Sequence, residues 1–401
     1  MKGMGTVRKL HKSNKDNEVY YYYLKNGEKR WMYRHKYYDV LGKRKEKKES
    51  SFKTEKEALK ALLEVKASLL NDQSKQVEYN QMTVSQWLDI WYETYNSGWE
   101  VTSRLQRKNA IKHQMKPLLG KFKLSKLDRT TYVREYINKL SKKYRPSTVA
   151  LFHRLFKIAI NAAVEDEIIP RNRFNKISIE QEEELDNFLT SDELNILLDV
   201  TKKHENITNY TFILLLAYTG LRKGEALGLK WKNINLKEKT VTVERTRDRY
   251  GDRPPKTKNS YRTFPIDDIV VNQLQVYQKW CIETKFAYGM KLDKKKDYVF
   301  ISYQGGTPMG ANTSKYLFER IYKQLEKDNI HIKRITPHGL RHTHATILIN
   351  MGIPPKTIAD RLGNTVEMIY NVYSHSFKEL EDKAVVAFSE SLASGAKIGA
   401  N

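Results

Sequence analysis

A single cysteine, Cys281, stands in 401 residues, so no internal disulfide can form. No Cys/His cluster has zinc-ligand spacing either, and no metal is expected. Cys281 follows Trp280 in a stretch of helical character, where a buried, unreactive thiol is the expectation. No run of about 18 apolar residues is present to span a membrane. The N-terminus, MKGMGTVRKLHKS, begins basic but lacks the apolar segment of a secretory signal. Acidic residues are the other shortage. They number 47 against 72 Lys and Arg, leaving +25 and a pI of about 9.6. A chain this basic expects a polyanion as its partner, and with no membrane anchor the expected polyanion is intracellular nucleic acid.

What is present divides into three parts. In EVYYYYLKNGEKRWMYRHKYYDVLGKRKEKKESSF, aromatic and basic residues are broken at Asn26-Gly27 and Leu41-Gly42, which predicts three short antiparallel strands. Thr54 and Glu57 then form a capping box before leucines and alanines at helical period, so a three-stranded sheet backed by one helix is expected over 1–72. Residues 1–70 hold 19 Lys and Arg against 9 Asp and Glu, with Trp31, Tyr33, Tyr37 and Tyr38 between them. A DNA-reading sheet is expected, with Arg30, Arg34, Lys36, Lys43, Arg44 and Lys45 as its contacts. DQSKQVEYNQM is polar and aperiodic and reads as a linker. Helical periods follow near 84–95, 102–118, 129–142 and 146–166, giving an all-α domain over 80–176. ISIEQEEELDNFL has five acids and no Lys or Arg, which marks a second boundary. A mainly helical domain with a β-patch runs from 188 to 401, opening on the capping box of Thr190 and Glu193.

Three stretches of the last domain carry chemistry. AYTGLRKGEALGLKW ends an apolar helix at Thr219-Gly220 and places Arg222 at the first turn of the next, where free N–H groups suit an anion. TPHGLRHTHATIL places His338 and Arg341 three apart near a helix start. EMIYNVYSH, preceded by RLGN, puts Tyr370 and Tyr373 three apart on one helix face. Each is weak alone. An arginine near a helix start is usually just exposed, and paired tyrosines are usually core.

Their joint order, T-G-L-R-x-x-E, then K-T in a β-turn, H-x-L-R-H, L-G and Y-S-H, resembles the tyrosine recombinases, the phage-integrase family of site-specific DNA recombinases. The domain order resembles integrases of Gram-positive phages and conjugative transposons. The resemblance implies a multidomain α+β chain: a β-sheet arm-binding domain, an all-α core-binding domain and a tyrosine recombinase catalytic domain. It assigns phosphate binding to Arg222 and Arg341, proton handling to His338, a second contact to Asn364, site orientation to Glu225 and nucleophilic attack to Tyr373, which stands two before the histidine of Y-x-H. Tyr370 is then expected to be a packing ring. The general acid is a turn lysine. The K-T pair favours Lys256, with Lys258 the alternative. His342 and His344 are expected to be structural. No cofactor is implied, because a phosphotyrosyl ester conserves the bond energy.

The partners implied are double-stranded DNA with core and arm sites, three further protomers in a homotetramer, and DNA-bending and excision proteins in a bacterial cytoplasm or nucleoid. The amphipathic tail carrying Phe377, Leu380, Ala384, Val385 and Phe388 is expected to dock on a neighbouring protomer or on its own domain. One position departs from the family: Asn364 follows Leu-Gly where His or Trp is usual. Asn is shorter but can still donate through its amide. Two other readings compete. A type IB topoisomerase would need no arm-binding module, and a non-catalytic regulator of the same fold would have lost Arg222, Arg341 or Tyr373. All three are present.

Overall fold

The computed structural model describes residues 9–39, 42–71, 74–180, 187–255, 257–373, 377 and 388–389. They fall into two compact units, divided between Glu183 and Glu184 inside the acidic stretch. Among the described residues no helix is long and apolar enough to cross a membrane.

The first unit begins with an antiparallel sheet of four strands in sequential order: β1 (His11–Lys12), β2 (Val19–Tyr23), β3 (Lys29–Tyr38) and β4 (Arg44–Phe52). The expected three are joined at the edge by β1, whose two residues are too few to show a period; His11 stacks on Tyr21 with ring centroids 4.9 Å apart. Ser51 bulges β4 opposite Trp31 and Met32, with φ at +76°. The Glu55–Leu70 helix has the predicted capping box and buries Ala58, Leu62 and Val65 against Val19 and Tyr33. Residues expected to be linker form a helix instead, Ser74–Tyr79, and Val77 joins that same apolar cluster.

The helical part starts at Val84–Tyr95, capped by Thr83, and buries Trp87, Leu88 and Trp91. Each such side chain is worth roughly 1.5–3 kcal/mol removed from water. The Trp87 indole N–H donates to the Ala159 carbonyl (2.8 Å), which ties it to the long Pro146–Glu165 helix. The helices predicted near 102–118 and 129–142 each contain a π-turn, at Ile111–Met115 and Val133–Ile137.

In the second unit the Ile207–Thr219 helix is buried nearly all round, as its apolar composition requires, and forms the centre of the core. A three-stranded sheet, β5 (Ile234–Asn235), β6 (Thr240–Val243) and β9 (Arg262–Pro265), lies in the order β5-β6-β9; β7 (Thr246–Asp248) and β8 (Gly251–Arg253) form a separate hairpin between β6 and β9. Cys281 is buried, as expected.

Candidate active site

Both glycines of the recognised motifs end helices in the left-handed conformation. Gly220 caps Ile207–Thr219 with φ at +64°, and Gly363 caps Pro355–Leu362 with φ at +66°. They also let two segments touch. A Cβ on Gly220 would meet Leu362 Cδ2 at 2.5 Å, and one on Gly363 would meet Arg262 NH1 and the Asn259 carbonyl at 2.8 Å. Glycine is therefore required at both places for backbone angle and for room.

This close approach builds the site. Arg222 stands just before the Lys223–Gly228 helix in extended conformation, one residue earlier than the sequence suggested. Its N–H and guanidinium both donate to Glu225, at 3.0 and 2.8 Å, and its NH2 donates to Asn364 Oδ1 at 2.6 Å. Arg341, on the Gly339–Asn350 helix, is 3% exposed; its NH1 and NH2 donate to the Gly220 and Leu362 carbonyls at 2.9 and 2.8 Å. Two guanidinium groups thus converge on one segment, Leu362 to Asn364. Burial pushes Arg341 down to about 9, with Arg222 adding to the effect, and it remains charged at neutral pH. Burial alone would raise the Glu225 carboxyl, but Arg262 and Arg222 outweigh it and hold the group below its ordinary value.

Tyr373 follows the short Val366–Val372 helix, which Thr365 caps. It is 3% exposed, packed with Ile349, Leu362 and Ile369. Burial raises its phenol to about 12, while Arg341 and Arg222 pull the other way. His342 lies between it and His338, with ring centroids 5.5 Å from Tyr373 and 4.8 Å from His338. Desolvation, then the neighbouring His342, Arg341 and Arg222, hold His338 below the ordinary imidazole range.

Tyr370 is not the core ring expected of it. It is 49% exposed and packs at a tilt on Phe377, so the buried ring is Tyr373, just past the helix, and the helix itself presents Tyr370. His344 is structural, as expected: Nδ1 contacts the Ala217 carbonyl (3.0 Å) and Nε2 accepts from Arg361 (3.0 Å). Lys256, His375 and most of the tail lie outside the described residues. Lys258 is exposed and lines a groove of about 510 Å³ with Arg262, Lys356 and Asn364.

Two residues of the site carried no sequence signal. Arg262 is buried, bound to both Glu225 oxygens, and Arg361 reaches the Tyr218 and Pro265 carbonyls. In a chain with 72 basic residues, nothing in their spacing singles them out.

In the first unit, strand alternation separates the expected DNA contacts. Arg30, Arg34 and Lys36 lie on the β3 face opposite the helix, and Arg44 pairs with Tyr38 on that face. Lys45 pairs with Tyr37 on the helix side, where it contacts Glu78 and Asp39. Neighbouring strand residues cannot share a face, so Lys45 parts from Arg44. Lys43 lies in the turn before β4. Arg34 is already bonded to Glu46 and Arg30 to Glu28.

A mainly helical domain with paired arginines around a buried tyrosine, preceded by a helical domain and a basic sheet, defines an integrase-type DNA recombinase architecture. The Phage integrase family matches residues 187–379, the Arm DNA-binding domain 19–69, and the phage integrase N-terminal SAM-like domain 83–141. The tyrosine recombinase XerC-like protein of Caldanaerobacter subterraneus subsp. tengcongensis is 30% identical over 284 residues, 64% of this chain and 70% of that protein. The integrase of Staphylococcus phage L54a is 29% identical over 347 residues, 78% of this chain and 95% of that one. The chain belongs to the phage integrase family of tyrosine recombinases. The Tn1549 transposon integrase, solved with circular intermediate DNA, shares the fold with a TM-score of 0.64 at 22% identity, over 75% of this chain and 99% of that one.

Proposed function

We propose that this protein is a site-specific recombinase that integrates and excises a phage or mobile element, cutting and rejoining DNA through a 3′-phosphotyrosyl intermediate. The observation that supports it most is the meeting of Arg222 and Arg341 on Leu362–Asn364 beside the buried Tyr373. Strand transfer without hydrolysis needs a nucleophile that keeps the phosphate as an ester, charge for the pentacoordinate oxygens, and a proton for the leaving 5′ oxygen. Guanidinium forks supply the charge in a shape that matches two oxygens at once. Tyr373 attacks phosphorus, and its proton passes toward His338. Lys256 or Lys258 protonates the leaving oxygen.

The phenol at about 12 makes the free enzyme a poor nucleophile. The developing phenolate is stabilised by the same two arginines that hold the phosphate, so activation accompanies DNA binding. Double-stranded DNA with core and arm sites, a tetrameric assembly and accessory bending proteins complete the reading.

The test is a nicked core-site duplex that traps the covalent adduct, run in excess EDTA. The parent and Tyr370→Phe are expected to form the adduct on a denaturing gel, and Tyr373→Phe to bind without forming it. Adduct from Tyr373→Phe, or loss of the parent's adduct on chelation, would overturn the assignment.

A further inference from the structure

Arg262 opens β9 and is 7% exposed at its side chain, yet its guanidinium meets three separate pieces of the site. Nε donates to the Arg361 carbonyl (2.7 Å), at the start of the segment that Arg222 and Arg341 hold. NH1 donates to Glu225 Oε1 (3.3 Å) and to the Ser260 carbonyl (3.1 Å), and NH2 donates to Glu225 Oε2 (2.9 Å). Ser260 ends the turn that carries Lys258. That turn is itself closed by Ser260 N–H on the Thr257 carbonyl (3.1 Å) and by the paired hydroxyls of Thr257 and Ser260 (2.9 Å). Asn259 and Arg262 both crowd Gly363, so turn and segment are in direct contact.

A buried counterion for Glu225 would need only the two carboxylate bonds. The two carbonyl bonds do something else: one planar, rigid fork sets the distance between the lysine turn and the phosphate-holding segment. A lysine at this position has a point-like ammonium and cannot satisfy all four acceptors in one plane. We propose that Arg262 is a positioning residue that holds the lysine turn against the arginine pair, so that the ammonium of Lys256 or Lys258 meets the leaving 5′ oxygen. The inference rests on the phosphotyrosyl reading. In the step concerned, the Tyr373 oxygen–phosphorus bond forms and the phosphorus–O5′ bond breaks. The phenol proton goes to the His338 side, and the leaving oxygen takes a proton from the lysine.

A leaving thiolate needs no such proton, because a thiol is far more acidic than an alcohol. The test therefore compares two core-site substrates, one ordinary and one with sulfur replacing the bridging 5′ oxygen at the scissile phosphate, in single turnover with the full chain. Arg262→Lys is expected to slow the oxygen substrate about 10- to 100-fold, part of the roughly 10²–10⁴ a general acid is worth, and the sulfur substrate by less than about threefold. The ratio is taken within one preparation, so a partly misfolded fraction cancels. The same ratio for Lys256→Ala and Lys258→Ala identifies the acid. Equal slowing of Arg262→Lys on both substrates, no slowing on either, or no sulfur rescue for either lysine variant would overturn the inference. A parent that forms no adduct with either substrate would instead overturn the proposed function.

Discussion

Asn364 turns its carboxamide oxygen to Arg222, because a guanidinium can only donate. The amide nitrogen therefore faces away from Arg222 and is left to donate elsewhere. A neutral donor backed by two arginines contributes modestly: Asn364→Ala is expected to slow single-turnover cleavage by no more than about 10²-fold, the lower bound for one preorganised donor. Asn364→Asp is nearly the same shape but puts a carboxylate on Arg222, facing the incoming phosphate, and should be slower than the alanine variant. An aspartate variant cleaving at the parent rate would mean that the phosphate does not come to this residue. At this scale, residue order matched to a known family singled out Arg222, His338, Arg341 and Tyr373, and the structure gathers these side chains in one domain around Leu362–Asn364 and His342. It misled for Tyr370, because three-residue spacing shows that two rings share a face and not which of them the domain covers. Arg262 and Arg361 act through backbone carbonyls, which no residue pattern displays.

Elements were legible where their period was long. The Glu55–Leu70 and Ser191–His204 helices begin at the predicted capping boxes. The Ser74–Tyr79 helix was not, since six residues with one buried apolar side chain, Val77, give no period to read. The sheet shows what register adds to charge. Lys36 and Arg44 are exposed on the face opposite the helix, whereas Lys45 and Lys47 reach the Ser74–Tyr79 helix, Lys45 through Glu78 and Lys47 through the Val77 carbonyl. If the opposite face reads arm-type DNA, Lys36→Ala and Arg44→Ala should each reduce the salt slope of arm-site binding by about 1, the value of one phosphate contact. Lys45→Ala should leave the slope unchanged and lower the melting temperature. Filter binding across a salt series decides between the faces, and a slope change for Lys45→Ala alone would place the reading surface on the helix side.

For the whole molecule, a charge of +25 argues for a long DNA footprint but does not say where the chain divides. Composition placed a boundary in the polar stretch after residue 72, and the packing moves it. Val77 is buried with Val19, Tyr33 and Leu62, and Lys47 bonds to Asn80, so the sheet's own core extends through residue 80. The helical domain starts immediately afterwards: Thr83 caps its first helix, and Leu124 N–H bonds to the Met82 carbonyl (2.9 Å). Deleting residues 1–80 is therefore expected to leave a protein that protects and cleaves a core site, with arm-site protection gone. Deleting only 1–72 would strip the sheet from the Ser74–Tyr79 helix and leave Val77 uncovered, giving a less soluble protein with the same loss of arm binding. Footprinting on DNA bearing both kinds of site, with size-exclusion profiles of the two proteins, separates these outcomes. Arm protection surviving the 1–80 deletion would place the arm reader outside the sheet, and identical solubility of the two deletions would show that the Ser74–Tyr79 helix is no part of the sheet's core.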